Sequence, residues 1–342
     1  MTDTTTLLWS WYRDPAVLER EQDRIFRRSW QYAGRLDQVE QPGDQFAARA
    51  GDVPIAIVRD HDGSLRAFLN VCRHRGSLVV GGESRRETLQ CPYHGWTYGL
   101  DGSLRAAPRA AAEPGFDSSG LSLLPLAVDT WGPFVFVNPD REAASLPDAL
   151  GELPDLLGRG GIDPRTLRFH SRVEYSLEAN WKIAVENYLE CYHCPVAHPG
   201  FSAVVDVRPE HYRLESRDTF WSQFGVRRSG GAEGVPPQFH LLWPNLKVNV
   251  LPGPPNLSLG PVLPEGPERS AGFFDYFFGE DVDEQTIQEL LAFDEQVGWE
   301  DRQLVESVQR GVRSGLLERG RLLPRSEQLV HGFQRAIARA LD

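Results

Sequence analysis

The spacing of apolar and polar residues changes character twice along this chain. Between residues 15 and 30, Val17, Leu18, Ile25 and Phe26 are separated by charged side chains at helical intervals. Asp14 precedes Pro15, a cap followed by proline at the first helical position, so the pattern predicts an amphipathic helix. From Asp44 to about Pro139 short apolar runs are broken by Gly, Asp and Pro. Examples are VPIAIV (53–58), LRAFLN (65–70) and FVFVN (134–138), which predict a small antiparallel β domain over 44–140. A polar, proline-bearing linker fills roughly 140–164. From about 165 the pattern is mixed. LRFHSRVEYSL reads as a strand leading to a helix that begins near Asn180, a good cap. DTFWSQF, QFHLLW, LKVNV and AGFFDYFF read as further strands, and 252–268 is so rich in Pro and Gly that it reads as a loop. Residues 283–316 carry a long helical pattern, with Asp283 as cap and Gly315 as stop, and a last helix covers 325–341. The fold class expected is α+β. Residues 1–43 form an N-terminal helical segment packed on the C-terminal domain, 44–140 form the β domain, and 165–342 form an antiparallel sheet gripped by a long helix.

Composition changes this picture little. A chain of 342 residues, 41% hydrophobic and 25% charged, is ordinary globular material for about two domains. The net charge of −12 argues against nucleic acid or an anionic membrane as partner. No apolar run reaches the ~18 residues of a membrane span. The start, MTDTTTLLWSWYRDP, has neither a basic nor an apolar leader region. Of four cysteines, two belong to the motifs below and two are Cys191 and Cys194. No disulfide framework is expected, which fits a cytoplasmic location.

The chemistry begins with Cys72-Arg73-His74 and Cys91-Pro92-Tyr93-His94. Two thiolates and two imidazoles in this alternation match a Rieske [2Fe–2S] ligand set, with two Cys on one iron and two His on the other. Neutral imidazoles leave less negative charge on the cluster, which places its potential at roughly −150 to +300 mV. Structural zinc also takes Cys2His2, but pairs Cys with Cys and His with His in its usual spacing, so it fits poorly. Gly76 and Gly95 follow the two pairs, where a tight turn is needed.

A second constellation is ENYLECYHCPVAH (186–198). On a straight helix His193 and His198 would lie about 140° apart, too far around the axis to share an ion. Pro195 disfavours helix at Cys194, so the helix is expected to end near His193 and a turn to bring His198 back. Two imidazoles and a carboxylate make the facial triad of non-haem Fe(II) oxygenases. The carboxylate candidates lie in FDEQVGWEDRQLVESVQRG: Asp294, Glu300 and Asp301. Alone, Cys191 and Cys194 form a C-x-x-C; they are read as two buried thiols flanking His193.

CRHRG and CPYHGW resemble the two cluster loops of Rieske oxygenases, and neither loop carries the extra Cys of respiratory Rieske proteins. ENYLECYHC…AH resembles the mononuclear-iron motif of their α subunits, closest to the quaternary-ammonium branch (betaine, carnitine, choline and stachydrine types). With ESVQRG (306–311), the resemblance spans nearly the whole chain. It implies a helix-grip, START-like catalytic domain. It implies that Cys72, His74, Cys91 and His94 hold the cluster, that His193, His198 and Asp301 hold a mononuclear iron, and that Glu190 bridges His193 to His94 of a neighbouring subunit.

It implies a terminal oxygenase that takes electrons from NAD(P)H through a separate flavin- or ferredoxin-type reductase, works as a homotrimer or trimer pair, and oxidatively N-demethylates a quaternary ammonium compound. The chain carries no dinucleotide fingerprint of its own. Two other functions are weighed: an aromatic ring-hydroxylating dioxygenase α subunit, which the short length and Glu190 disfavour, and a non-enzymatic Rieske electron carrier. Aromatics at Phe201, Phe220, Trp221, Phe239, Trp243, Phe273 and Tyr276 suit either a cation cage or an aromatic ring, with 201–243 as the expected pocket lining.

Overall fold

The computed structural model describes residues 4–228 and 234–342. They fall into two units, one comprising Ile25–Asp148 and the other the segment up to Arg24 together with Ala149–Asp342.

The first unit is antiparallel throughout. Its strands are β1 (Gln31–Arg35), β2 (Asp44–Ala50), β3 (Val53–Arg59), β4 (Leu65–Leu69), β5 (Ser84–Arg85), β6 (Leu89–Gln90), β7 (Thr97–Tyr98), β8 (Leu104–Ala106), β9 (Pro125–Trp131) and β10 (Phe134–Asn138). The main sheet runs β1-β10-β9-β4-β3-β2-β5, and β6-β7-β8 form a small second sheet. Residues 25–43, expected with the N-terminal segment, belong here because β1 is an edge strand paired to β10 with Gln31 opposite Val137. Phe46, Ile55, Ile57, Val135 and Val137 are fully or almost fully buried in one core. A second core gathers Phe68, Leu89, Trp96, Tyr98 and Leu100 around Cys72 and Cys91.

The second unit holds helices α1 (Pro15–Arg24), α2 (Leu146–Leu150, which opens just before the unit boundary), α3 (Leu153–Arg159), α4 (Trp181–Tyr188), α5 (Cys194–Ala197), α6 (Pro199–Val204), α7 (Glu284–Arg313) and α8 (Gln328–Leu341). Its strands are β11 (Leu167–Leu177), β12 (Val205–Asp206), β13 (Arg213–Ser216), β14 (Phe220–Phe224), β15 (Val226–Arg227), β16 (Gln238–Leu242), β17 (Leu246–Val250), β18 (Asn256–Gly266) and β19 (Arg269–Gly279). Seven of them form one antiparallel sheet, β11-β19-β18-β17-β16-β14-β13. Asn180 caps α4 by accepting the Lys182 N–H, and Asp283 caps the 30-residue α7 by accepting from Thr286. The α7 residues Ile287, Val305, Gln309 and Val312 are buried.

Four further expectations about the elements need correction. The first helix is shorter than 15–30: α1 stops at Arg24 and only a 3₁₀ turn, Phe26–Arg28, follows. The 140–164 stretch is not a bare linker, since α2 and α3 lie within it. Residues 252–268 are not a loop throughout, since Asn256–Gly266 form a strand. β18 runs through Pro261 and Pro264 because Leu257, Leu259, Val262 and Leu263 are buried and β17 and β19 flank it on both sides. Burial in a central strand outweighed the local proline signal. The fourth correction concerns α4, described with His193 and His198 below.

The N-terminal segment is tied to α4 by a buried ion pair. Lys182 Nζ lies 2.6 Å from Glu21 Oε1, both side chains are fully buried, and the Trp181 indole N–H donates to the same carboxylate at 2.8 Å. Lys182 also donates to the Trp11 carbonyl at 3.0 Å.

Candidate metal centres

In the first unit the two sequence motifs fold into equivalent loops. Gly76 N–H donates to the Cys72 carbonyl and Gly95 N–H to the Cys91 carbonyl, each at 3.1 Å. Cys72 and Cys91 in turn donate backbone N–H groups to Ser77 and Trp96 at 2.8 Å. Both turns need a left-handed residue, and Gly76 (φ 78°) and Gly95 (φ 71°) supply it. The cysteines are buried and unoxidised, while His74 and His94 are exposed. The imidazole centroids are 4.6 Å apart, and His74 stacks on Trp96 at 5.0 Å.

Burial pushes the Cys91 thiol pKa up, but hydrogen bonds from the Tyr93 and His94 N–H groups and from Cys72 outweigh it, so the thiol lies below its ordinary value. Those donors favour the thiolate that iron requires. The Tyr98 hydroxyl lies 3.3 Å from Cys72 Sγ and accepts the Arg73 N–H at 2.9 Å. Nothing in the motif spacing singled out Tyr98. Two buried thiols and two exposed imidazoles, brought together on paired loops, fit a Rieske cluster.

In the second unit α4 ends at Tyr188, five residues earlier than expected, and Pro195 opens a helix instead of closing one. It sits in the first turn of α5, where its missing N–H costs nothing. His193 and His198 flank this single turn. The result is the approach that the sequence required: His193 Nε2 and His198 Nε2 are 3.0 Å apart. Asp301 Oδ1 lies 3.0 Å from His198 Nε2 and 3.5 Å from His193 Nε2. His198 is buried, and His193 and Asp301 are partly so.

The other nitrogens of both rings are taken. Glu190 accepts from His193 Nδ1 and from the backbone N–H groups of Tyr192 and His193. Glu300 accepts from His198 Nδ1 at 2.7 Å. With both Nδ1 atoms donating, both neutral rings turn lone pairs at Nε2 toward each other and toward a carboxylate oxygen. That arrangement of electron-rich atoms calls for a cation between them, and the donor set is that of non-haem iron. Without one, protons do the same work. Burial works against the His193 imidazolium, but Asp301 and Glu190 outweigh it and raise its pKa to about 9. His198 is raised likewise, by Asp301 and Glu300 against burial. Burial opposes the charge of Asp301, yet the two imidazoles hold its carboxyl well below the usual range.

The three carboxylates weighed from sequence therefore separate. Asp301 faces the histidines, Glu300 supports His198, and Asp294 accepts a hydrogen bond from the Tyr276 hydroxyl at 2.6 Å. Among the described residues His193, His198 and Asp301 are the group arranged to hold an ion, and His61, His170, His211 and His240 enter no such group. Cys191 and Cys194 are not the free thiols expected. They form a disulfide with Cα atoms 5.0 Å apart, because the turn between α4 and α5 folds i onto i+3. The inference of a cytoplasmic setting from unpaired cysteines loses that support.

The expected aromatic lining divides. Phe201 and Phe239 pack with Cys191, Cys194 and Phe293 of α7. Trp221 and Trp243 pack instead on Phe333 of α8, and Phe273 lies 3.7 Å beneath the Arg172 guanidinium.

Residues 29–127 match the family described as the Rieske [2Fe–2S] domain, and residues 164–342 match the ring-hydroxylating α subunit, catalytic domain. Choline monooxygenase of Atriplex hortensis (chloroplastic) is 33% identical over 97% of this chain and 77% of its own. The carnitine monooxygenase oxygenase subunit of Acinetobacter pittii (strain PHEA-2) is 34% identical over 96% of this chain and 92% of its own. A solved quaternary ammonium Rieske monooxygenase, described for carnitine oxidation and inter-subunit electron transfer, superposes with a TM-score of 0.88. It shares 32% identity and the match covers 99% of this chain and 96% of that one. No helix among the described residues is long and apolar enough to cross a membrane.

Proposed function

The chain belongs to the Rieske oxygenases as a ring-hydroxylating-type α subunit, and on that premise we propose that it oxidatively N-demethylates a quaternary ammonium compound. The family's cofactors are a Rieske [2Fe–2S] cluster and a mononuclear iron, which supplies O2 activation. The observation that carries the reading is the His193–His198–Asp301 cluster with Glu190 behind it, in a chain whose relatives are named for choline and carnitine oxidation.

Each group has one task in this proposal. His193, His198 and Asp301 would hold the iron, a donor set that suits O2 chemistry. Glu300 orients His198. Glu190 orients His193 and reaches the exposed His94 edge of a neighbouring subunit's cluster, so a homotrimer or trimer pair is part of the reading. Cys72, His74, Cys91 and His94 hold that cluster, and their exposed imidazoles form its electron exit. A flavin- or ferredoxin-type reductase delivers two electrons from NAD(P)H, and a cytoplasmic setting belongs to the same proposal. The stoichiometry is one O2, two electrons and two protons per N-methyl hydroxylated, with one water formed. The carbinolamine then releases formaldehyde, a proton and the demethylated amine. Phe201, Phe239 and Phe293 offer apolar and π faces that suit a methylated cation, worth about 0.5–2 kcal/mol per contact.

Purified holoenzyme with a surrogate reductase, NADH and a panel of quaternary amines tests this. Oxygen uptake matched by formaldehyde is expected. Cis-diol formation from arenes without formaldehyde from any amine would replace it with ring dioxygenation. A protein with cluster iron alone would be an electron carrier.

A further inference from the structure

Lys247 is on β17, directly opposite Leu241 of β16 and Gly260 of β18. Its side chain lies on the face of the sheet turned toward α4, with Nζ 4.9 Å from the Tyr188 ring centroid and 6.0 Å from that of Phe274. The Tyr188 ring is fixed there, because its hydroxyl donates to Asn249 Oδ1 at 2.6 Å and to the His240 carbonyl at 3.1 Å. Phe274 lies over Gly260, where any side chain would collide with its ring. Two aromatic faces thus position the ammonium. Among the described residues no hydrogen bond or ion pair takes Nζ, and the residue keeps part of its surface accessible. A lysine head withdrawn among aromatic rings without an anion is costly unless something else supplies one.

The carboxylates within electrostatic reach of Lys247 are Asp301 and Asp294. Burial still lowers the lysine pKa against both of them. Asp294 already accepts from Tyr276, and Asp301 faces the two histidines. The opposite end of the site has the opposite character: Glu190, Glu300 and Asp301 surround the histidines with acid. One end therefore favours a cation and the other an anion.

We propose that Lys247 docks the carboxylate of a zwitterionic, betaine-type quaternary amine, so that the methylammonium end is turned toward the histidine–Asp301 cluster and amino alcohols such as choline are poor substrates. This rests on the quaternary-ammonium reading above and narrows it. Lys247 touches substrate in this arrangement and sets specificity.

The test uses the holoenzyme with a surrogate reductase. γ-Butyrobetaine and glycine betaine are compared with choline, by kcat and KM for formaldehyde release and by anaerobic equilibrium dialysis. The wild type is expected to prefer the carboxylated amines. Lys247→Met should raise their KM and dialysis Kd by about 10- to 100-fold, the range for losing one charge-assisted hydrogen bond, and should cost choline far less. Lys247→Arg should restore most of the affinity, and the Lys247→Gln and Lys247→Arg pair gives the same comparison should the Met variant fold poorly. Equal losses for betaines and choline overturn the assignment. So does a wild type that demethylates choline as well as the betaines, although that result leaves the quaternary-ammonium reading standing. Cis-diols from arenes with no formaldehyde remove the reading itself.

Discussion

Glu300 Oε2 lies 2.7 Å from His198 Nδ1, on the side of the ring away from Asp301. One turn edge of α7 thus presents two adjacent carboxylates to the same imidazole in different roles. Glu300 fixes the tautomer, and Asp301 faces the other ring nitrogen, where the proposed ion would be held. Glu300→Ala is expected to weaken mononuclear iron affinity by about 10- to 100-fold while leaving the cluster intact. Iron titration of the chelator-treated protein, with the cluster followed by its visible absorption, checks it.

Asp301→Ala removes a proposed ligand instead of a support. The variant is expected to keep the two irons of the cluster, lose the third and lose oxygenase turnover. Asp294→Asn, by contrast, keeps the third iron, because Asp294 is engaged with Tyr276. Metal analysis per chain decides between the two acids.

Metal loading should depend on pH with a definite sign. In the metal-free protein His193 holds a proton up to about 9, against an ordinary value of 6.5. A ferrous ion must displace it, so apparent affinity is expected to rise with pH, by at least about tenfold per unit, up to about pH 9. The same proton stabilises the metal-free fold. Since the folded pKa lies above the unfolded one, that contribution is full below 6.5 and is lost as pH rises from 6.5 through 9. Melting curves of metal-free protein with and without added Fe(II) should show both trends.

Glu186 on α4 titrates for a different reason. Its carboxylate accepts from the Tyr12 hydroxyl at 2.7 Å and from Gln334 at 3.1 Å. Burial pushes its pKa up to about 7, against these hydrogen bonds and the Lys182 charge. The folded protein therefore binds more protons than the unfolded chain between 4.5 and 7, and this group makes the fold less stable as pH rises through that window. Glu186→Gln is expected to flatten the decline, read as the pH dependence of the difference in melting temperature from wild type.

The buried pair of Glu21 and Lys182 gives a stability prediction away from the metals. Glu21→Ala leaves the Lys182 ammonium buried without its partner and is expected to cost about 3–5 kcal/mol. Denaturant unfolding measures it. Loss of less than about 1 kcal/mol would mean that Trp11 and water satisfy the lysine.

Some of this protein was legible in one dimension. The candidate cluster residues lie two and three positions apart on loops, each pair followed by a turn glycine, and such a spacing is set by local geometry, so Cys72, His74, Cys91 and His94 stand out from their order alone. β11 matched its expected range residue for residue, and the cap of α7 at Asp283 was right, because both depend on neighbouring residues. Asp294 and Asp301 are seven residues apart on α7, which places both on one face of the helix. No periodicity could choose between them; the packing of α7 against α4, α6 and β11 did. The same holds for β18, where burial between two strands overrode its prolines, and for Pro195, which starts a helix because α4 had already ended. Cys191 and Cys194 are joined only once the chain turns between those helices. Lys247 has no motif at all, and its isolation among Tyr188 and Phe274 arises from strands and a helix far apart in sequence. Local chemistry thus named the candidate residues, while long-range packing decided which acid faces the two histidines and which charge stands among aromatic rings.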